Sequence, residues 1–84
     1  MTFRVMQLTE AFGQVIRTKR RQKGFSQEFL AELAELHPNF ISLVERAKTS
    51  ASLDSVQALA NALGCQPSVL LLEAELLIAT GRVA

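Results

Sequence analysis

The sequence predicts an all-α fold: a compact five-helix domain built around one modest core. Three observations lead there. Apolar residues recur at helical spacing, as Leu8, Phe12, Val15, Ile16, then Phe29, Leu30, Leu33, Ala34, then Phe40, Ile41, Val44, then Val56, Leu59, Ala60, Leu63. Residues that cap or stop helices fall between these runs. The 84 residues, 49% of them hydrophobic, carry no alternating strand pattern, repeat or low-complexity tract.

Each boundary has a local cause. Thr9 is placed to cap the first helix and Gly24 to end it, while Ser26 caps the second. Pro38 suits the first position of the third helix, behind His37, because a proline ring presets the helical φ and the missing N–H has no partner there anyway. Ser52 caps the fourth helix and Gly64 closes it; Pro67 opens a fifth, at about 67–80, which Gly81 ends. The expected domain runs from 9 to 80, preceded by an extension over 1–8 and followed by a tail over 81–84.

Composition excludes several classes of function. A single cysteine, Cys65, and a single histidine, His37, supply neither a disulfide framework nor a metal cluster, so no metal or other cofactor is expected. Cys65 reads as a small apolar filler between helices four and five, with a redox switch as the alternative. No base and nucleophile pair suggests an enzyme, and the chain is too short for a separate ligand domain, so no small-molecule ligand is expected. The start, MTFRVMQL, lacks the layout of a secretory signal, and the apolar stretch Val69 to Ala79 is broken by Glu73 and Glu75. A cytoplasmic protein without a membrane span is expected.

The net charge is only +1, but its distribution is uneven: Arg17, Lys19, Arg20, Arg21 and Lys23 stand together without a carboxylate, while Asp54, Glu73 and Glu75 dominate the rear. The basic run is either a solvated helix face or a set of phosphate contacts, Arg17 among them.

Only Glu35, Leu36 and His37 separate helices two and three, which forces an elbow of the helix-turn-helix kind. On the third helix Asn39, Ser42, Leu43 and Arg46 share one face by their i, i+3, i+4, i+7 spacing, and His37, Phe40, Ile41, Val44 and Lys48 mark the other. The first face suits the major groove of DNA. Asparagine offers the donor and acceptor that match adenine, serine bonds either base type, and leucine can touch a thymine methyl, so an A·T-containing half-site follows. Arg46 has three open roles: a guanine contact, a phosphate contact or a cap on helix carbonyls. Arg4 in the extension reads either as a minor-groove arm or as part of a packed or frayed terminus.

The same residues carry a family resemblance. Ile16-Arg17 and Arg20, the run Gly24-Phe25-Ser26-Gln27-Glu28-Phe29-Leu30-Ala31, the run Ile41-Ser42-Leu43-Val44-Glu45-Arg46, then Ser52-Leu53 and Ala58-Leu59-Ala60-Asn61-Ala62-Leu63-Gly64, resemble the phage repressor and Cro type of helix-turn-helix domain. The resemblance spans about residues 12 to 72, and Leu36-His37-Pro38-Asn39-Phe40-Ile41-Ser42 is most similar to controller proteins of restriction-modification genes. It implies a lambda-repressor-like fold and a sequence-specific DNA-binding transcription regulator, either activator or repressor. By position it implies base reading by Pro38, Asn39, Phe40, Ser42 and Leu43, backbone contact by Gln27, Lys48, Thr49 and Ser50, and an ion pair between Arg20 and Glu45 that holds helix three. Phe40 has two readings, inward by spacing and at the DNA surface by resemblance. His37 is open between a cap, a phosphate contact and neither.

Three positions depart from the family pattern: Glu35 and Ala47 replace glycines, and Ala51 replaces a proline. Either the first two sit at positive φ at a cost of about 1 kcal/mol each, or those turns take other dihedrals.

The fifth helix is apolar on more faces than one core uses. A homodimer through Val69, Leu72, Leu76, Leu77 and Ile78 accounts for this and would present two reading helices to double-stranded DNA; burial within one chain is the alternative. A protein-interaction module such as an antitoxin is the second functional reading.

Overall fold

A computed structural model describes residues 6–81. Residues Phe3, Arg4 and Val5 of the extension, and 82–84 of the tail, lie outside the described residues. The described residues form five helices: α1 (Leu8–Gln22), α2 (Gln27–Ala34), α3 (Pro38–Glu45), α4 (Leu53–Leu63) and α5 (Pro67–Thr80).

Three of the starts follow from local chemistry. The Ser26 and Ser52 hydroxyls accept from the Phe29 and Ser55 N–H groups at 3.0 and 3.1 Å, and Pro67 opens α5. The start of α1 differs from expectation, for its N-cap is Gln7, and Thr9 lies inside the first turn. The reason is Glu10, whose carboxylate accepts from the Gln7 N–H at 3.2 Å and so satisfies the chain one step before Leu8. Met6, just upstream, is already buried in the core.

Four helices stop in the same way. Phe25, Leu36, Lys48 and Cys65 donate their N–H groups back to Arg20, Ala31, Leu43 and Ala60 at 2.8–3.0 Å, each after a residue of left-handed backbone. Glycine fills that left-handed position at Gly24 and Gly64. At Glu35 and Ala47 it is filled by residues with a Cβ, both at φ 57°, so the turns keep the family dihedrals and carry the strain.

Every helix places at least one side chain wholly inside: Ile16, Leu30, Ile41, Val44, Leu59 and Leu70. Removing each from water is worth about 1.5–3 kcal/mol. Helix α1 is the central element, packed against α5, α3 and part of α4, while α2 leans on α3 and α4. On α2 the core side is Leu30, Ala31 and Ala34; Phe29 and Leu33, members of the same apolar run, are exposed. Phe29 instead meets Phe25 edge to face, ring centroids 4.9 Å apart.

Two helices approach closely at Gly13. A Cβ there would overlap the carbonyl oxygen of Val44 and stand 3.1 Å from that of Glu45, so α1 and the end of α3 touch backbone to backbone. Two opposite outcomes are expected in urea unfolding. Gly13→Ala lowers stability by about 2–3 kcal/mol through overpacking, and Ala47→Gly raises it by about 1 kcal/mol through relief of the left-handed strain.

Candidate nucleic-acid interface

Helix α3 opens on His37, whose Nδ1 accepts from the Asn39 N–H at 3.0 Å, and on Pro38 at its first position. The cap reading of His37 is therefore the one its geometry gives. Ile41, Val44 and Glu45 point into the protein. Asn39 and Arg46 are exposed, and Pro38, Ser42 and Leu43 are partly so. Phe40 is half-buried against the core, with part of its surface left to solvent.

What holds the helix in this pose is a buried charge pair. Arg20 on α1 donates from Nε to Glu45 Oε2 at 2.6 Å and from Nη2 to Oε1 at 3.0 Å, both residues being only 9% exposed. Its third nitrogen, Nη1, donates to the Phe25 carbonyl at 2.9 Å and so fixes the loop between α1 and α2. The hydrogen bond to Glu45 raises the Arg20 pKa above its ordinary value against the opposing effect of burial, so the guanidinium stays charged. The side chain of Gln27, first residue of α2, completes the group by donating from Nε2 to Glu45 Oε1 at 3.1 Å. Sequence reasoning assigned Gln27 to the phosphate alone and gave no sign of this bond. Nothing in an 18-residue separation signals it.

The flanks of α3 gather the other candidates unevenly. Arg46 follows the last residue of the helix and donates from Nε to Ser42 Oγ at 3.2 Å, which lays the guanidinium along the exposed face. Lys48 is exposed and shares a polar cleft with Gln7, Glu10 and Arg46. Thr49 and Ser50 line a different cleft, against Leu8, Phe12 and Leu71, and Thr49 is half-buried. Arg17 is exposed and, by its spacing from Gly13 and Arg20, lies on the α3 flank of α1. Lys19 faces the other way and pairs with Glu73 of α5 at 2.7 Å, so the basic run of α1 splits between two neighbours.

On α5, Leu70 and Ala74 are buried, and Leu71, Leu77 and Ile78 are partly covered by the same core. Leu72 and Leu76 are 55% and 54% exposed, and Val69 shares their side of the helix by spacing. Leu76 and Leu77 also line an apolar groove of about 280 Å³ against Val15 and Thr18 of α1. The outward face is thus Val69, Leu72 and Leu76, with Leu77 and Ile78 largely committed inward.

Among the described residues, no group of three His, Cys, Asp or Glu side chains is gathered to hold a metal ion, and no single helix is long and apolar enough to cross a membrane. Cys65 is free and half-buried.

The helix-turn-helix family model matches residues 16–70 of the sequence. The chain belongs to the helix-turn-helix family. Members of this family are DNA-binding regulators, and α2 and α3 are its two motif helices. Within the family the chain is 44% identical over 61 residues to the control protein C.BamHI of Bacillus amyloliquefaciens, covering 71% of this chain and 75% of that protein. Among solved structures it is similar to the restriction-modification controller protein C.AhdI from Aeromonas hydrophila, with TM-score 0.72 and 40% identity over 74% of this chain and 94% of that one. It is also similar to the clp gene regulator ClgR from Corynebacterium glutamicum, with TM-score 0.87 and 29% identity over 93% of this chain and 83% of that one.

Cutting the charge pair on one side strands its partner in a buried place. Arg20→Ala or Glu45→Ala lowers the unfolding free energy of this helix-turn-helix domain by about 3–5 kcal/mol, read from thermal or urea melts.

Proposed function

We propose that this regulator is a homodimeric controller protein that binds a roughly palindromic operator and works by binding rather than by catalysis. The observation that carries this reading is the α3 face of Asn39, Ser42, Leu43 and Arg46, solvent-facing while the back of the same helix is locked by Glu45. Similarity to C.BamHI and C.AhdI supports the restriction-modification assignment.

In this reading Asn39 meets an adenine edge with its amide, Ser42 bonds a base, Leu43 meets a thymine methyl, and Pro38 with the exposed part of Phe40 packs at the groove wall. Gln27, Arg17, Arg46, Lys48, Thr49 and Ser50 meet phosphates and set register without reading sequence. The exposed Leu72 and Leu76, with Val69, form the centre of the dimer contact, and Leu77 and Ile78 add their uncovered parts. A twofold dimer through α5 sets two α3 helices before half-sites about 34–36 Å apart.

Selection of bound fragments from random duplexes tests the main claim: a palindromic consensus with salt-sensitive affinity is the expected outcome, and affinity indifferent to both sequence and salt would falsify it. Asn39→Ala is expected to lower discrimination between operators about tenfold or more. Lys48→Ala weakens all duplexes alike and lowers the salt slope by about 1. Leu72→Glu together with Leu76→Glu turns the dimer into a monomer in sedimentation and removes operator affinity while the melt stays cooperative.

A further inference from the structure

We propose that Glu45 is a positioning residue for DNA, orienting the Gln27 amide toward the phosphate backbone as well as holding α3. This rests on the reading of Gln27 as a backbone contact.

The geometry admits one orientation of that amide. An ionised carboxylate accepts hydrogen bonds and donates none. Both oxygens of Glu45 already accept from Arg20, at 2.6 and 3.0 Å. Gln27 therefore turns its nitrogen, not its oxygen, toward Glu45, at 3.1 Å. A primary amide has two N–H groups in one plane, and only one of them is spent on Glu45. Gln27 stands at the first position of α2 and is only partly buried, so the second N–H is left for a group outside the protein. A phosphate oxygen needs such a donor. Without the carboxylate the amide loses the partner that fixes its torsion, and its second N–H is no longer held in one direction. Arg20, Glu45, Gln27 and phosphate thus form one line of hydrogen bonds. The carboxylate at the end of α3 governs the backbone contact made by α2.

A double-mutant cycle on duplex affinity tests this, each variant measured below its melting temperature. Gln27→Ala and Glu45→Gln are each expected to weaken binding to all duplexes about fivefold, leaving the salt slope unchanged because a neutral donor releases no counterion. The double variant is expected to bind no worse than Glu45→Gln. Losses that multiply would overturn the proposal. Should Glu45→Gln not fold, NMR of the wild-type Gln27 side chain decides. One amide proton protected in the free protein, and the other shifting on duplex addition, supports the line of bonds; two protons that exchange like a free amide overturn it. If Asn39→Ala still relaxes discrimination when these arms fail, the base-reading assignment stands and only the role of Glu45 falls.

Discussion

Glu45 sits at the last residue of α3 and takes three hydrogen bonds, two from Arg20 on α1 and one from Gln27 on α2. Arg20 in turn holds the loop that joins those two helices through the Phe25 carbonyl. A buried ion pair of this kind adds little net stability, because desolvation of both charges offsets their attraction. Its effect is on choice between packings. Any arrangement of the first three helices that separates Arg20 from Glu45 leaves a charge in a place only 9% exposed, and such arrangements are excluded by several kcal/mol. The solvent-facing side of α3 is fixed as a consequence, since the helix cannot roll without withdrawing its carboxylate.

The same central helix serves both ends of the molecule. One flank of α1 carries Gly13, Arg17 and Arg20 toward α3, and the other carries Val15, Thr18 and Lys19 toward α5. The cation that looked like part of a single basic face is drawn to Glu73, and the face divides. In the proposed reading, recognition and association are separate surfaces joined through one rigid element.

Much of this was legible because its causes are local. Ser26, Ser52, Pro38 and Pro67 act on their own neighbours, and Gly24 and Gly64 take backbone angles that few other residues accept. Spacing alone put Asn39, Ser42, Leu43 and Arg46 on one face of α3, but it also put His37 and Lys48 opposite, and both are exposed because they lie beyond the helix ends. What was hidden depends on competition or distance. Thr9 lost the cap because Glu10 reaches back to Gln7. Phe29 and Leu33 fit the apolar period, yet an eight-residue helix beside a small core buries only Leu30, Ala31 and Ala34. The bond from Gln27 to Glu45 joins two elements whose docking no local pattern records. Gly13 did carry a signal, a glycine inside an apolar helical run, which marks close approach of another backbone.

That close approach bears on how an operator is measured. Side chains between helices can change rotamer and absorb a fraction of an ångström, but two backbones in contact have no such slack. With α1 resting on the carbonyls of Val44 and Glu45, the distance from α3 to the α1–α5 unit is set by main-chain atoms. In a dimer of the proposed kind, the two reading helices are then the jaws of a fixed caliper. One base pair added between half-sites moves them about 3.4 Å apart and rotates one about the duplex, more than such a caliper follows. Spacing between half-sites becomes part of the sequence the protein recognises, although no side chain touches it.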